Sequence, residues 1–353
     1  MKRNDFAKTL KEHDELVFSA PLSVSLEITS QCNLRCKYCY TDAGEKQEKE
    51  LKKKEILDLI DDLYSIGVGT LVFTGGEPLC RPEFFEIARY ADEQDFTIIL
   101  STNGTLLDAE TALTLAESGF KRVQVSIEGN EAQHDTLTGA KGSHRKAVRA
   151  LENLERAGIT PFVATTITAL NVKGIISLIE TICEDTPAQR MRLLRFLPMG
   201  RGETARELDV PIDEIKKVYS KIQELRKRIR GPFEINFSDA FNAPFFDRPS
   251  HPCIGGHSWC CITPAGYVIP CNYFSSPDVI KILGADSIRK KEFITIWKTS
   301  HLLEKFRTPP ELKGDCNTCD VSAECRGGCR AVSFSYTGNL FDMGPLCSYR
   351  GGT

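Results

Sequence analysis

The regular alternation of short apolar runs with amphipathic ones constrains this chain more than any other feature. Six runs of β-branched and apolar residues read as strands: "SVSLEIT" (23–29), "TLVFTG" (70–75), "TIILSTNG" (97–104), "RVQVSIEG" (122–129), "PFVATTIT" (161–168) and "MRLLRFLP" (191–198). Behind them lie stretches whose apolar residues recur at three and four, such as "KKKEILDLIDDLYSIG", "PEFFEIARYADEQ", "HRKAVRALENLERAG" and "IDEIKKVYSKIQELRKRI". Gly67, Gly119 and Gly158 stand where helix C-caps are expected. Six β-α units in succession imply a parallel sheet with right-handed crossovers. An open twisted sheet and a partial barrel both satisfy the pattern, and in both the carboxyl ends of the strands build the site.

The alternation stops near Pro232. Beyond it glycine, proline and cysteine dominate, with "SIRKKEFITIWKTSHLLEKF" the main helical segment. A region so poor in core-forming periodicity needs staples, and metal clusters can supply them. The expected division is an N-terminal extension (1–21), an α/β core (22–235) and a cysteine-rich region (236–353). A net charge of −3 gives no electrostatic argument for nucleic acid or an anionic membrane. The basic runs near Lys52–Lys54 and Arg226–Arg230 read as solvated helix faces. No export signal and no run of ~18 apolar residues is visible, so a cytoplasmic protein without membrane or nucleic-acid partners is expected.

Against that background the fourteen cysteines stand out. Cytosolic thiols stay reduced, and clustered thiols there are more often metal ligands than disulfides. Cys32, Cys36 and Cys39 lie in "CNLRCKYC", directly after the first strand, and nine more lie between Cys253 and Cys347. Cys80 and Cys183 stand alone and read as small buried side chains. Three front thiols fall short of the four that a structural zinc site wants, unless a distant ligand folds in. An iron–sulfur cubane held by three thiolates would leave one iron open to an exogenous ligand.

"CNLRCKYC" resembles the C-x3-C-x-aromatic-C signature of the radical S-adenosylmethionine (SAM) superfamily, with Tyr38 as the aromatic residue. Further strand ends match in family order. "TGGEP" carries Gly75, Gly76 and Glu77, whose carboxylate the resemblance assigns to the methionine ammonium. "STNG" carries Ser101 and Asn103; "SIEG" carries Ser126 and Glu128, where an Asp is more usual and a ribose contact is implied. "TTIT", with Thr166 and nearby Asn171, sits where the fifth strand meets the adenosine. Alone, each of these could be a turn or a helix entry. One departure is Thr138, which occupies the place of a carboxylate-binding Arg; Lys141, Arg145 and Lys146 are nearby cations that could replace it.

The back cysteines are similar to the SPASM extension of that superfamily: Cys253 with Gly266 and Cys271, then "CNTCDVSAECRGGC", then Cys347. The resemblance implies a partial (β/α)6 TIM-type barrel with a C-terminal cysteine-rich iron–sulfur domain. It implies three [4Fe–4S] clusters and SAM as cofactors. Cys32, Cys36 and Cys39 would hold the SAM-binding cluster. Cys253, Cys260, Cys271 and Cys329 would hold one auxiliary cluster, and Cys316, Cys319, Cys325 and Cys347 the other. Cys261, beside Cys260, could reach the first auxiliary cluster too. The implied activity is reductive cleavage of SAM to a 5′-deoxyadenosyl radical that oxidises, decarboxylates or cross-links a peptide or protein substrate. Flavodoxin or ferredoxin would be the electron donor, with a separate peptide-recognition protein as a further partner. "LLRFLPMGRG" and "CRGGCRA" with "GPLC" are similar to peptide maturases and to tetrapyrrole enzymes of haem synthesis, the second substrate reading. A non-catalytic iron–sulfur electron-transfer protein is the alternative of another class. The general base is open among Glu234, Asp239, Tyr273 and Asp278.

Overall fold

A computed structural model describes residues 18–46, 49–229, 231–237, 253–308, 311, 316–319 and 322–342. All six expected strands form: β1 (Ser23–Glu27), β2 (Thr70–Thr74), β3 (Thr97–Thr102), β4 (Arg122–Ser126), β5 (Thr160–Ile167) and β6 (Arg190–Arg195). They lie side by side in chain order and run parallel. Helices α1 (Lys53–Ser65), α2 (Phe84–Glu93), α3 (Ala109–Glu117), α4 (Glu131–Thr138), α5 (Ser143–Arg156), α6 (Ile175–Asp185) and α7 (Ile212–Arg228) follow them. The result is a partial α/β barrel.

Strand alternation creates two unlike faces. Val24, Leu26, Leu71, Phe73, Leu100, Val123, Val125, Val163 and Met191 share one core with Ile56, Ile60 and Leu63 of α1. Phe73, Phe84 and Phe120 form its aromatic centre, with ring centroids 5.9–6.2 Å apart. The opposite register carries Ser25, Glu27, Ser101, Gln124, Ser126, Thr166 and Arg192. A closed (β/α)8 barrel fills its interior with branched apolar side chains. Here the concave face sets those polar side chains among the half-buried Val72, Ile99, Phe162 and Leu194 of the same register, a mixed lining suited to a binding site.

Two features go beyond the periodicity. A seventh strand, β7 (Glu234–Phe237), extends the sheet past β6, so position 235 lies inside a strand. On the other edge β8 (Trp259–Ile262) runs parallel to β1 and carries antiparallel β9 (Tyr267–Ile269) and β10 (Asp286–Ser287). The cysteine-rich region thus continues the barrel sheet. Helices α8 (Pro277–Leu283), α9 (Phe293–Thr299), α10 (His301–Arg307), α11 (Ser322–Cys325) and α12 (Arg330–Thr337) complete it. Among the described residues no helix is long and apolar enough to cross a membrane.

Candidate active site

The front cysteine loop leaves the carboxyl end of β1 and is clasped on two sides. Gly76 N donates to Thr29 O and Glu77 N to Gln31 O, both at 2.8 Å. A Cβ on Gly75 would sit 2.4 Å from Thr29 O and one on Gly76 2.3 Å from Gln31 O, so only glycine permits this approach. From the other side, Arg201 donates to the carbonyls of Cys36 (2.9 Å) and Ala43 (2.5 Å) and pairs with Asp42 at 2.9 Å. Its backbone N–H reaches Cys39 O. Arg201 is the working residue of the "LPMGRG" segment, and nothing in local periodicity announces it.

The thiols receive donors that suit thiolate ligands. Leu34 N approaches Cys32 Sγ and Ala43 N approaches Cys39 Sγ, each at 3.4 Å, and Asn103 Nδ2 stands 3.9 Å from Cys32 Sγ. Such N–H···S contacts stabilise cluster thiolates. Burial pushes the Cys32 thiol up to about 11, so a bound cationic cluster is what would make it a thiolate. The residues present fit an iron–sulfur cluster.

Two buried carboxylates flank this loop. Glu77 accepts from Thr102 Oγ1 (2.8 Å), Asn103 N (2.8 Å) and Leu79 N (3.2 Å), and burial raises its pKa to about 7. Glu128 accepts from Tyr38 Oη at 2.8 Å and Thr166 N at 2.6 Å, and burial raises it to about 7 as well. The structure therefore joins Tyr38, Glu128 and Thr166 in one bridge across the barrel mouth, with both oxygens of Glu128 engaged by protein. Asn171 braces that bridge, donating to Glu128 O and Thr166 O. Ser101 accepts from Gln124 Nε2 on the concave face, and Ser126 ends β4 half-buried.

Arg145 pairs with Glu131 at 3.2 Å on the surface, and Lys141 and Lys146 are exposed. Thr138 is buried in a helix corner, donating to His134 O and sharing a 2.7 Å hydrogen bond with Ser143 Oγ. His134 Nδ1 accepts from Glu128 N at 3.0 Å, and burial lowers its pKa to about 4, keeping it neutral. The lone cysteines also differ from expectation. Cys80 and Cys183 are half-exposed: Cys183 lies in the last turn of α6, and Cys80 ends a 3-10 turn where it accepts the Asn33 N–H beside the front loop.

The front and back cysteines face each other across residues that the motifs missed. The Tyr40 and Tyr273 rings meet at 5.0 Å. Asn272 Nδ2 reaches Ser25 Oγ (3.0 Å), Glu27 Oε1 (2.9 Å) and Cys261 Sγ (3.2 Å), and Ser275 Oγ donates to Glu27 at 2.7 Å. Burial raises Glu27 to about 7. Arg192 stands in the same space, within electrostatic reach of Tyr273, Cys271 and Tyr40. A charged residue in an apolar strand was the available signal for Glu27 and Arg192 alike. Cys253, Cys261, Cys271 and Cys329 border one apolar cluster, whereas Cys260 lies in the core on the opposite face of β8. Cys316, Cys319 and Cys325 are half-buried, and Arg330 lies within electrostatic reach of Cys253, Cys329, Cys325 and Cys316. Cys347 and Asp239 lie outside the described residues. Of the other base candidates, Glu234 pairs with Arg190 at 2.8 Å, Asp278 is exposed, and Tyr273 Oη donates to Arg195 O.

Comparison with known proteins agrees with this geometry. The Radical SAM superfamily pattern matches residues 26–182, and SPASM, an iron–sulfur cluster-binding domain, matches 253–320. The chain is 32% identical to the AdoMet-dependent heme synthase of Methanosarcina barkeri, covering 95% of this chain and 98% of that protein. It is 31% identical to the mycofactocin maturase MftC of Mycolicibacterium smegmatis, covering 95% and 84%. In fold it is similar to Streptococcus suis SuiB bound to S-adenosylmethionine, with TM-score 0.78 at 15% identity, covering 98% of this chain and 81% of that one. These domains imply [4Fe–4S] clusters and SAM, and the curated relatives are enzymes, which sets aside the non-catalytic carrier. The chain belongs to the radical SAM superfamily, as an enzyme bearing a SPASM domain.

Proposed function

We propose that the enzyme oxidises or decarboxylates a carboxylate-bearing substrate held on the concave face, with a peptide or protein as the first reading. The observation that carries this is Arg192, which lies in the concave register of β6 opposite Ala164 and within electrostatic reach of Tyr40 and Tyr273, whose rings meet at 5.0 Å. A guanidinium there can grip a carboxylate through two parallel hydrogen bonds. The maturase relatives support a peptide; they include a PqqA peptide cyclase at 28% identity. A tetrapyrrole propionate is the second reading, favoured by the end-to-end match to the heme synthase.

Three [4Fe–4S] clusters are proposed: one at Cys32, Cys36 and Cys39, and two in the cysteine-rich region, whose domain limits are taken as 236–353. When bound, the front cluster with SAM supplies a 5′-deoxyadenosyl radical able to abstract a substrate hydrogen. The chain's own residues do the positioning. Glu77 would accept from the methionine ammonium, Asn103 and Ser101 would contact the cosubstrate, and Thr166 and Ser126 would line the adenosine side. Gly75 and Gly76 keep the loop against β1. Tyr38 and Glu128, joined by their hydrogen bond, would close the mouth on the far side and keep water out.

The test is anaerobic reconstitution with dithionite and SAM, followed by mass spectrometry with a candidate peptide and a propionate-bearing tetrapyrrole. Formation of 5′-deoxyadenosine with loss of a carboxyl group or of hydrogen from one candidate supports the reading. Arg192→Gln should raise KM for that substrate while uncoupled SAM cleavage persists, and Arg192→Lys should recover only part. Unchanged KM in Arg192→Gln would contradict it.

A further inference from the structure

We infer that Cys261, rather than Cys260, is the thiolate that joins Cys253, Cys271 and Cys329. The inference rests on the reading that the cysteine-rich region holds an auxiliary cluster. Adjacent residues of a strand point to opposite faces, so only one of the two can serve. The pairing of β8 with β1 fixes which: Cys260 lies opposite Val24, and Cys261 opposite Ser25.

Val24 faces the helix layer, and Cys260 does the same, fully buried in the core that holds Ile296 and Trp297. A thiolate there would lose its hydration in that core, where Arg307 is within electrostatic reach but, among the described residues, Cys253, Cys271 and Cys329 pack against the other cluster. Ser25 faces the concave side. Cys261 shares that side with its β9 partner Ile269, in the cluster against which Cys253, Cys271 and Cys329 pack. Its sulfur already receives the Asn272 amide at 3.2 Å, a donor of the kind that cluster thiolates accept.

Cys260 could take the role only if β8 slipped by one residue. Because the side-chain period is two, that slip would turn Trp259, Cys260, Cys261 and Ile262 to the wrong faces at once. It would also break the register from Ser23–Trp259 to Leu26–Ile262, and the pairing of Cys261 with Ile269. The strand is held on both edges, so the choice is fixed by the sheet and not by sequence spacing.

The experiment uses full-length protein with Cys32, Cys36 and Cys39 replaced by Ala, so that only auxiliary iron is counted. Cys260→Ala and Cys261→Ala are added separately, and each is reconstituted anaerobically and assayed for iron, sulfide and the EPR spectrum of the reduced state. Circular dichroism checks folding. Cys260→Ala should keep the iron of its parent, and Cys261→Ala should lose about half of it. Where Cys261→Ala does not fold, Cys261→Ser should fold and shift one EPR signal through oxygen ligation, while Cys260→Ser leaves both signals unchanged. Iron loss from Cys260→Ala with Cys261→Ala intact would overturn the assignment, as would full iron in both. A parent carrying no iron at all would instead overturn the auxiliary-cluster reading and take this inference with it.

Discussion

Glu77→Gln separates the electrostatic account of the front site from a merely structural one. Burial moves the Glu77 carboxyl from 4.5 to about 7, so ionising it in the folded chain costs about 3 kcal/mol above neutral pH. The folded state binds the proton more tightly than the unfolded state between these values. Stability therefore falls as pH rises through that window, and the penalty is complete above about 7. The Gln variant has no such titration. It still accepts from Thr102 and Leu79, but its amide nitrogen cannot accept from Asn103 N, a loss of roughly 1–3 kcal/mol at every pH. Urea unfolding of cluster-free protein should find the variant clearly less stable at pH 5 and close to wild type at pH 8. SAM affinity of the reconstituted variant should fall roughly 10- to 150-fold, for one lost charge-assisted hydrogen bond worth about 1.5–3 kcal/mol. Parallel pH–stability curves for the two proteins, or unchanged SAM affinity, would refute the reasoning.

Gly76→Ala puts a methyl group 2.3 Å from Gln31 O, and should cost about 1–3 kcal/mol by urea unfolding while loosening the cysteine loop, seen as lower iron retention. Phe84→Ala, in the centre of the helix-side core, should cost about 3–5 kcal/mol in the same assay with SAM affinity unchanged once folded. Arg201→Met removes the donors to Cys36 O and Ala43 O, and faster chelator-driven iron loss from the front site is expected at little cost in thermal stability. Arg330→Gln withdraws a positive charge from beside Cys253 and Cys329, so EPR-monitored redox titration should find a more negative auxiliary potential.

The parts of this fold that were legible in the sequence share one physical property: their signal is local. Strands such as Thr97–Thr102 and helices such as Ser143–Arg156 carry their burial in their own periodicity. The glycine and cysteine motifs were legible because chemistry fixes their spacing within a few residues. What escaped depends on distant pairing. Glu234–Phe237 is four residues long and gains its place only by lying beside β6. Cys260 was the ligand that the resemblance implied, whereas the face each cysteine presents is set by pairing with Val24 and Ser25, far earlier in the chain. Glu27 was hidden inside a strand run, and its partners Asn272 and Ser275 lie at the far end of the chain. Thr138 looked like a lost ligand position, but its hydroxyl serves a helix corner.

The proposed front cluster is held by three thiolates and leaves one iron for SAM. It is tested most directly by the EPR spectrum of the reduced front cluster, with auxiliary ligands removed by Cys253→Ala and Cys316→Ala, recorded with and without SAM. The expected spectrum changes on adding SAM and is unaffected by Cys80→Ala, a cysteine outside the motif that lies within electrostatic reach of Cys32. A spectrum indifferent to SAM, or a cluster that disappears in Cys80→Ala, would contradict it.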